Sequence, residues 1–345
     1  MATPHISSWS DIASEYTDAL LLGNGASRAL HQDFTYESLL EAARKIGKIP
    51  REVEQIFKNL DTTDFELVQS MLSHARRINH ALEIEDQGKI AAIYEDIRQA
   101  LIAAVNSVHV PYPAVVDHLQ PIAEFMRHFK FVISLNYDLI VYWAMLWAND
   151  HPKKTDMFKD CFIAGEFDHD WKKYIESIKG AKSSTLVFYP HGNLALASES
   201  TTGNETKVAK GNDMNLLASI TKTWKERDAI PLFVSEGESR QKLRAIMRSP
   251  YLSTVYASVL PNTGSTIVIY GCSLGDQDEH IVNRLCVNRA KIAISIHGYA
   301  TKPSWDLNKS CAIFEAKVRK VNQSADLIFF DSESPGCWPH TQPTK

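Results

Sequence analysis

Seven short runs of apolar, β-branched and aromatic residues constrain the fold of this chain more than any other feature. Each run is almost continuously hydrophobic, which is typical of a strand buried on both faces of a sheet. Helix-length patterns such as DEHIVNRLCVNRA separate many of them. This alternation predicts an α/β protein with a Rossmann-like, doubly wound, mainly parallel sheet. The runs are ALLLGN (19–24), FKFVISLN (129–136), TLVFYPHG (185–192), IPLFVSEG (230–237), STIVIYGCS (265–273), KIAISIHG (291–298) and ADLIFFD (325–331).

One long interval, residues 35–128, interrupts the alternation. It contains almost no strand signal and is rich in helix formers, with apolar residues at helical spacing. We therefore predict a large helical insertion after the first strand, within a single domain that spans residues 1–345. Two polar stretches, 150–182 and 197–213, are predicted to be loops; loops of this length are often lids or disordered segments.

Composition excludes several classes of protein. The chain has 345 residues, 44% of them hydrophobic, which is enough for a large core. Its net charge of −4, without a basic tract, argues against direct sequence-specific binding of nucleic acid. Its five cysteines form no Cys-x-x-Cys pair, so no metal site or disulfide framework is predicted. The sequence shows no secretory leader and no run long enough to span a bilayer, so we expect a cytoplasmic protein that does not bind membranes.

The loop after the first run, GNGASR, resembles a nucleotide-binding loop but departs from the dehydrogenase fingerprint. That fingerprint has a third glycine and an acidic residue about 20 positions later. Here Arg28 occupies the third glycine position, and the next strand begins only near Phe131. Use of NAD as a redox cofactor is therefore disfavoured. Two alternatives remain: a phosphate cradle built from Gly23, Gly25 and Ser27 at a helix N-terminus, or a plain turn between a strand and a helix.

Three further runs end in small or polar residues. Each ending has a structural explanation: Asn136 and Asp138 can cap a helix, His191 can be a buried structural histidine, and Gly271 and Ser273 can form a turn. In an open α/β sheet, however, ligands bind outside the carboxyl ends of the strands. Four such endings on one sheet edge therefore indicate a ligand site. The three endings are LNYD (135–138), PHGN (190–193) and GCSLGDQD (271–278).

The ordered set GNGAS, SLNYD, PHGNL and GCSLGDQD resembles the sirtuin superfamily. In its motifs and their order it is most similar to the bacterial sirtuin-like NAD hydrolases of antiphage defence. The resemblance covers roughly residues 18–300. Leu135 replaces the glutamine of the deacetylases, Thr35 stands where their arginine follows Asp33 and Phe34, and their four-cysteine zinc module is absent. These departures disfavour protein deacetylation and leave cleavage of NAD.

The resemblance implies roles for individual residues. His191 would be the catalytic base, Asn136 would hold the attacking water or the ribose on the nicotinamide side, and Asp138 would contact nicotinamide or order its loop. Two groups would bind the rest of the substrate. The NAD phosphates would lie against Gly23, Gly25, Ala26 and Ser27, and the adenosine-side ribose and phosphates against Gly271, Ser273 and Asp278.

The resulting hypothesis is an NAD+ glycohydrolase that releases nicotinamide and ADP-ribose. NAD+ is then the substrate, and no cofactor is required. By resemblance, the protein would be a regulated homo-oligomeric effector of antiphage defence, with a HerA-type ATPase or another sensor protein as partner. The alternative hypothesis is a regulatory module that binds NAD or ADP-ribose without turning it over.

Two other segments carry candidate residues. Asp64 and Glu66 begin a predicted helix, where an acidic residue caps or complements the helix dipole; the alternative role is a contact with ribose. The stretch 234–252 places residues 235–237 at the predicted sheet edge, followed by Arg240 and Lys242. These basic residues could close the pocket or bind a phosphate, or belong to the solvated face of a capped helix.

Overall fold

The structure is a computed structural model that describes residues 5–32, 34, 38–86, 88–151, 156–176, 183–199, 202–208, 216–226, 229–234 and 237–341. The strands of this part of the chain form two sheets. In chain order they are β1 (Ile6–Ser7), β2 (Ala19–Leu22), β3 (Phe131–Ser134), β4 (Asp156–Lys159), β5 (Phe162–Ile163), β6 (Glu166–Phe167), β7 (Ser183–Phe188), β8 (Gly192–Glu199), β9 (Glu205–Lys207), β10 (Ala229–Phe233), β11 (Thr266–Tyr270), β12 (Lys291–Ile296) and β13 (Asp326–Asp331).

The larger sheet has eight strands in the order β1-β13-β12-β11-β2-β3-β7-β4. Every neighbouring pair in it is parallel. All residues of β2 and β3 are buried, as are all but the first residue of β11 and β12. Burial on both faces is what continuous apolar runs favour. The predicted α/β fold with a mainly parallel, Rossmann-like sheet is confirmed.

Helices flank this sheet. In chain order they are α1 (Trp9–Ile12), α2 (Asn24–Arg28), α3 (Leu39–Lys45), α4 (Arg51–Asn59), α5 (Phe65–Ala81), α6 (Lys89–Val108), α7 (Leu119–Met126), α8 (Ile140–Asp150), α9 (Leu216–Glu226), α10 (Ser239–Ile246), α11 (Pro250–Thr254), α12 (Glu279–Leu285) and α13 (Ser304–Val321). None of the helices in the described ranges is both long and apolar enough to cross a lipid bilayer.

The described residues between β2 and β3 form helices α2 to α7 and short 3₁₀ turns, without a strand. The two-residue strand β1, which its length hides from sequence patterns, precedes β2. The long helical stretch therefore follows the second strand of the chain. Within it, Asp64 caps α5, because its Oδ1 accepts a hydrogen bond of 3.0 Å from the backbone N–H of Leu67.

The second sheet is antiparallel, with the order β10-β8-β9-β6-β5. The run at 230–237 was predicted for the main sheet; this is wrong, because β10 pairs with β8 and alternates buried and half-buried residues. The polar stretches 150–182 and 197–213 were predicted to be loops; this is also wrong in part, since they contain β4, β5, β6, the end of β8, and β9. Such short strands lack a long hydrophobic run and form through pairing with other strands: β4 pairs with β7, β9 with β8, β6 with β9, and β5 with β6.

Candidate functional site

The four predicted strand endings meet at the point where the strand order of the main sheet reverses. From β2 the chain proceeds to β3 and β7 on one side, whereas β11, β12 and β13 follow one another on the other side. The loops after β2 and β11 therefore leave neighbouring strands at this switch point. A crevice at the carboxyl ends of the strands is expected there.

The glycines of the two loops allow the backbones to touch. The N–H of Gly25 donates a 2.7 Å hydrogen bond to the carbonyl of Gly271. A Cβ atom on Gly25 would lie 2.7 Å from that carbonyl oxygen, and one on Gly23 would lie 2.7 Å from Cα of Cys272. Gly271 has φ of +63°, and a Cβ there would lie 2.3 Å from the nitrogen of Ala26. Close loop packing therefore requires these glycines, whether or not a ligand binds.

Helix α2 has five residues and begins within the first glycine motif, with Gly23 as its N-cap and Gly25 in its first turn. Ala26 and Ser27 are buried behind the loop and do not line the cavity described below. The carbonyl of Ala26 accepts a hydrogen bond of 2.8 Å from Nε1 of Trp338. The sequence predicts a phosphate contact for Ser27, whereas its hydroxyl is hydrogen-bonded to Asn136 and Asp138 behind the cavity wall.

Ser27 links Asn136 to Asp138. Asn136 Nδ2 donates to the carbonyl of Gly23 at 3.0 Å and to Ser27 Oγ at 2.9 Å. The Ser27 hydroxyl donates in turn to Asp138 Oδ2 at 2.5 Å. Because both Nδ2 hydrogens are committed, the Asn136 amide is fixed in one orientation. Its Oδ1 accepts no hydrogen bond from the described residues, and Asn136 lines the cavity.

Asp138 orders the loop after β3. Its Oδ1 accepts a 3.0 Å hydrogen bond from the N–H of Ile140 at the start of α8, and its own carbonyl accepts one of 2.6 Å from Asn193 Nδ2. Burial raises the pKa of this carboxyl, while the hydrogen bonds from Ser27 and Ile140 act in the opposite direction. Since both oxygens have protein partners, the geometry favours loop ordering over a ligand contact for Asp138.

His191 lies in the tight turn between β7 and β8. Gly192 follows with φ of +76°, and a Cβ on it would lie 2.1 Å from the carbonyl oxygen of Leu232, so the strand β10 can pass close to this turn. The His191 carbonyl accepts a hydrogen bond of 2.6 Å from the N–H of Val234. The side chain is 3% exposed and lines the cavity. The turn thus holds an imidazole at the sheet edge.

A second histidine, His280 of α12, contacts the first. The two Nε2 atoms are 3.0 Å apart. Nδ1 of His280 lies 3.1 Å from Oγ of Ser239, which also accepts a 3.1 Å hydrogen bond from the backbone N–H of His280. Burial lowers the pKa of His191 well below its usual range, and the positive charge of Lys242 and the second imidazole add to this effect. Both rings are therefore neutral at pH 7.

An ion pair closes the same wall of the cavity. Nζ of Lys242, in α10, donates a 2.9 Å hydrogen bond to Oδ1 of Asp278, and both residues are buried. A buried charge of either sign is costly in free energy unless it is paired. Asp278 is thus held by Lys242 at the position where the sequence predicts a ribose or phosphate contact. Ser235 and Glu236 lie outside the described residues.

These elements surround a cavity of about 560 Å³, a size typical of small-molecule sites. Five binding residues predicted from the sequence line it together with Asn136, Asp138 and His191. They are Gly23, Gly25, Gly271, Ser273 and Asp278. A neighbouring cavity of about 830 Å³ shares a wall with it, formed by Gly25, Arg28, Gly271, Cys272 and Ser273.

Sequence patterns gave no role to Ser239, His280 or His109. The first two lie on helices after the cavity-forming loops, and no strand-end rule points to them. His109 lines the cavity; its Nδ1 donates to the carbonyl of Val110 at 2.8 Å and its Nε2 accepts from the N–H of Leu139 at 3.1 Å. The available signal for His280 was its position two residues after the GCSLGDQD motif, which a search for additional titratable residues would have included.

Residues 20–338 match the family described as a domain of unknown function, DUF4917. The chain belongs to this family. No curated protein matches the chain. The family description names no activity, so the geometry of the cavity carries the functional argument.

Proposed function

We propose that the protein is an NAD+ glycohydrolase that cleaves the bond between nicotinamide and ribose. The observation that carries this proposal is the convergence of all four strand-end motifs on one cavity. Glycines of two loops, Asn136 and His191 line it together, although 55 residues separate Asn136 from His191 and more separate the remaining motifs. The motif order that resembles the sirtuins therefore coincides with a shared site.

The shape of the site supports a dinucleotide. NAD+ has two nucleoside halves joined by a diphosphate, and here two cavities meet at the glycine loops. Arg28 lines both cavities, is exposed, and forms no ion pair with the described residues. A guanidinium at this junction can bind a diphosphate through paired N–H donors. We assign the nicotinamide half to the cavity that contains His191.

Cleavage of the bond between nicotinamide and ribose does not require a general acid. Cleavage of the glycosidic bond develops oxocarbenium character on the ribose, as in other glycosidic reactions, and nicotinamide is already a cationic leaving group. Asn136 offers its Oδ1 as a fixed acceptor, because Gly23 and Ser27 hold the amide hydrogens. An acceptor in this position can orient a water molecule or a ribose hydroxyl without adding a charge.

His191 is assigned the role of base. Its Nε2 is engaged by His280, which leaves Nδ1 as the ring nitrogen for substrate or water. As water attacks the anomeric carbon, the C–O bond forms, the bond to nicotinamide breaks, and a proton of the water passes to Nδ1. A neutral imidazole is suited to accept that proton, and such transfers contribute about 10²–10⁴-fold to rates.

The resemblance extends the proposal to biology. A NAD+ hydrolase depletes an essential cofactor, so we infer a regulated homo-oligomeric effector of defence that a HerA-type ATPase or another sensor activates. Incubation with the product of a neighbouring gene tests this part separately from the chemistry.

The experiment is release of nicotinamide from NAD+, followed by chromatography, for wild type, Asn136→Ala and His191→Ala. We expect both variants to lose at least about 10²-fold in rate, as for loss of a positioned proton acceptor. His74→Ala and Asn59→Ala, on exposed surfaces of α5 and α4, are the matched controls and should keep full activity. Circular dichroism verifies that each variant folds.

Two outcomes would contradict the proposal. Undiminished nicotinamide release by folded His191→Ala would remove the assigned base. Binding of NAD+ by wild type without any release, alone and with the neighbouring gene product, would instead support the alternative of a regulatory module that binds NAD or ADP-ribose.

A further inference from the structure

We propose that Ser239 and His280 are positioning residues that hold His191 with its proton on Nε2 and its lone pair on Nδ1. This inference rests on the proposed function, in which His191 accepts a proton from the attacking water. It assigns a role to two buried polar groups outside the four strand-end motifs.

The first step is the contact between the two imidazoles. A distance of 3.0 Å between Nε2 atoms is a hydrogen bond, in which one nitrogen carries the proton and the other accepts it. Both side chains are at least nine-tenths buried, at 3% and 4% exposure, and their rings are stacked with centroids 5.1 Å apart. The proton between them therefore decides the tautomer of both rings.

The second step is the contact with Ser239. Its Oγ already accepts the backbone N–H of His280, which leaves one lone pair and one hydrogen for Nδ1 of the same residue. When His280 donates from Nδ1 to this oxygen, its Nε2 must accept from His191. The lone pair of His191 then lies on Nδ1, where a base is needed. If the hydroxyl instead donated to Nδ1 of His280, the proton of His191 would lie on Nδ1 and block the base; a wild-type protein with its proton there would overturn the proposal.

The third step concerns charge. Among the described residues, the charged or titratable groups near the pair are Lys242 of α10, Asp278 before α12, and Tyr256, whose ring centroid is 6.3 Å from that of His280. Burial is the largest cause that lowers the pKa of His280, to about 4; Lys242 acts in the same direction and Asp278 opposes it. Neither ring is charged at rest, so a single proton bridges them.

The contacts from His191 to His280 and from His280 to Ser239 form a proton relay, and this relay also explains how a weak base can act. When Nδ1 of His191 takes a proton from water, the positive charge is offset by the hydrogen bond from Nε2 to His280. The bridging proton can then move to His280, which donates from Nδ1 to Ser239. Two successive proton transfers, from water to Nδ1 of His191 and from its Nε2 to His280, leave one additional proton on the pair, so no oxidant, metal or further reactant is needed.

The test combines NMR with kinetics. Protein labelled with ¹⁵N-histidine reports the tautomer of His191 without substrate, and wild type should show the proton on Nε2. Ser239→Ala and His280→Phe should change that tautomer distribution, whereas Ser239→Thr, which keeps the hydroxyl, should restore the wild-type pattern. His109, whose contacts are separate, provides an internal reference that should not change.

In nicotinamide release, we expect Ser239→Ala and His280→Phe to lower kcat about 10-fold or more, with KM within about twofold, because the proton acceptor is misplaced while binding is retained. If His280→Phe does not fold, Ser239→Ala still decides the question.

Different results would overturn the positioning role of Ser239 and His280 and the proposed NAD+ glycohydrolase function. An unchanged His191 tautomer in both Ser239→Ala and His280→Phe would overturn the relay, whatever the activity. Absence of nicotinamide release by wild type would overturn the proposed function, while the NMR measurement would still show whether the histidine pair sets the tautomer.

Discussion

The ion pair between Lys242 and Asp278 makes a sharp prediction about stability. At 2.9 Å, two unit charges attract by about 6 kcal/mol for an effective dielectric constant of about 20. The side chains are 2% and 10% exposed, so each charge has lost most of its hydration. We expect Asp278→Asn to lower the free energy of unfolding by about 3 kcal/mol, the low end for breaking a buried pair, because the cavity gives water some access to Lys242.

Urea unfolding of Asp278→Asn, Lys242→Met and the double variant measures the effect. The free energy of unfolding should fall by about 3 kcal/mol in each single variant. In the double variant it should fall by much less than the sum of the two single losses, because no unpaired buried charge remains. Glu226→Gln breaks the exposed pair with Lys222 and is the matched control, with an expected loss below about 1 kcal/mol. Additive single effects, or losses no larger than the control's, would refute the reasoning.

Two further predictions concern the cavity walls. Gly25→Ala should lower the free energy of unfolding by about 1–3 kcal/mol and abolish nicotinamide release, because its Cβ meets the Gly271 carbonyl oxygen at 2.7 Å. Gly47→Ala is the control for activity: its Cβ meets no atom within 4 Å, so it should keep nicotinamide release although its φ of +66° costs about 1–2 kcal/mol. A fully active, stable Gly25→Ala would contradict the loop packing. Burial lowers the pKa of His109 from its usual 6.5 to about 4, so the unfolded chain binds more protons between these values and stability should fall by on the order of 3 kcal/mol as pH drops through that window. The free energy of unfolding of His109→Gln should depend less on pH than that of wild type, because Gln can still accept the hydrogen bond from the N–H of Leu139 but does not titrate. An equal pH dependence of the two unfolding free energies would disprove this.

How far the sequence predicts the fold depends on the type of strand. The main-sheet strands β2, β3, β7, β11 and β12 could be predicted because burial on both faces requires continuous apolar runs, whereas β13 is only partly buried and was indicated by its apolar residues alone. The second sheet could not, because its short strands include polar segments such as β9 (Glu205–Lys207), which are half-buried. Their pairing depends on partners distant in the chain, and β10 shows that even an apolar run does not reveal its sheet.

The candidate site shows the same division. The sequence by itself determined which loops end the parallel strands, and so placed Gly23, Asn136, His191 and Gly271 at one edge, because parallel strands all end on the same side. Only the tertiary structure decided what each side chain touches. The partner of His191 is His280, 89 residues away, and the hydroxyl of Ser27 serves Asn136 and Asp138 instead of facing the cavity. Such contacts depend on how helices and loops pack in three dimensions, which local patterns do not encode.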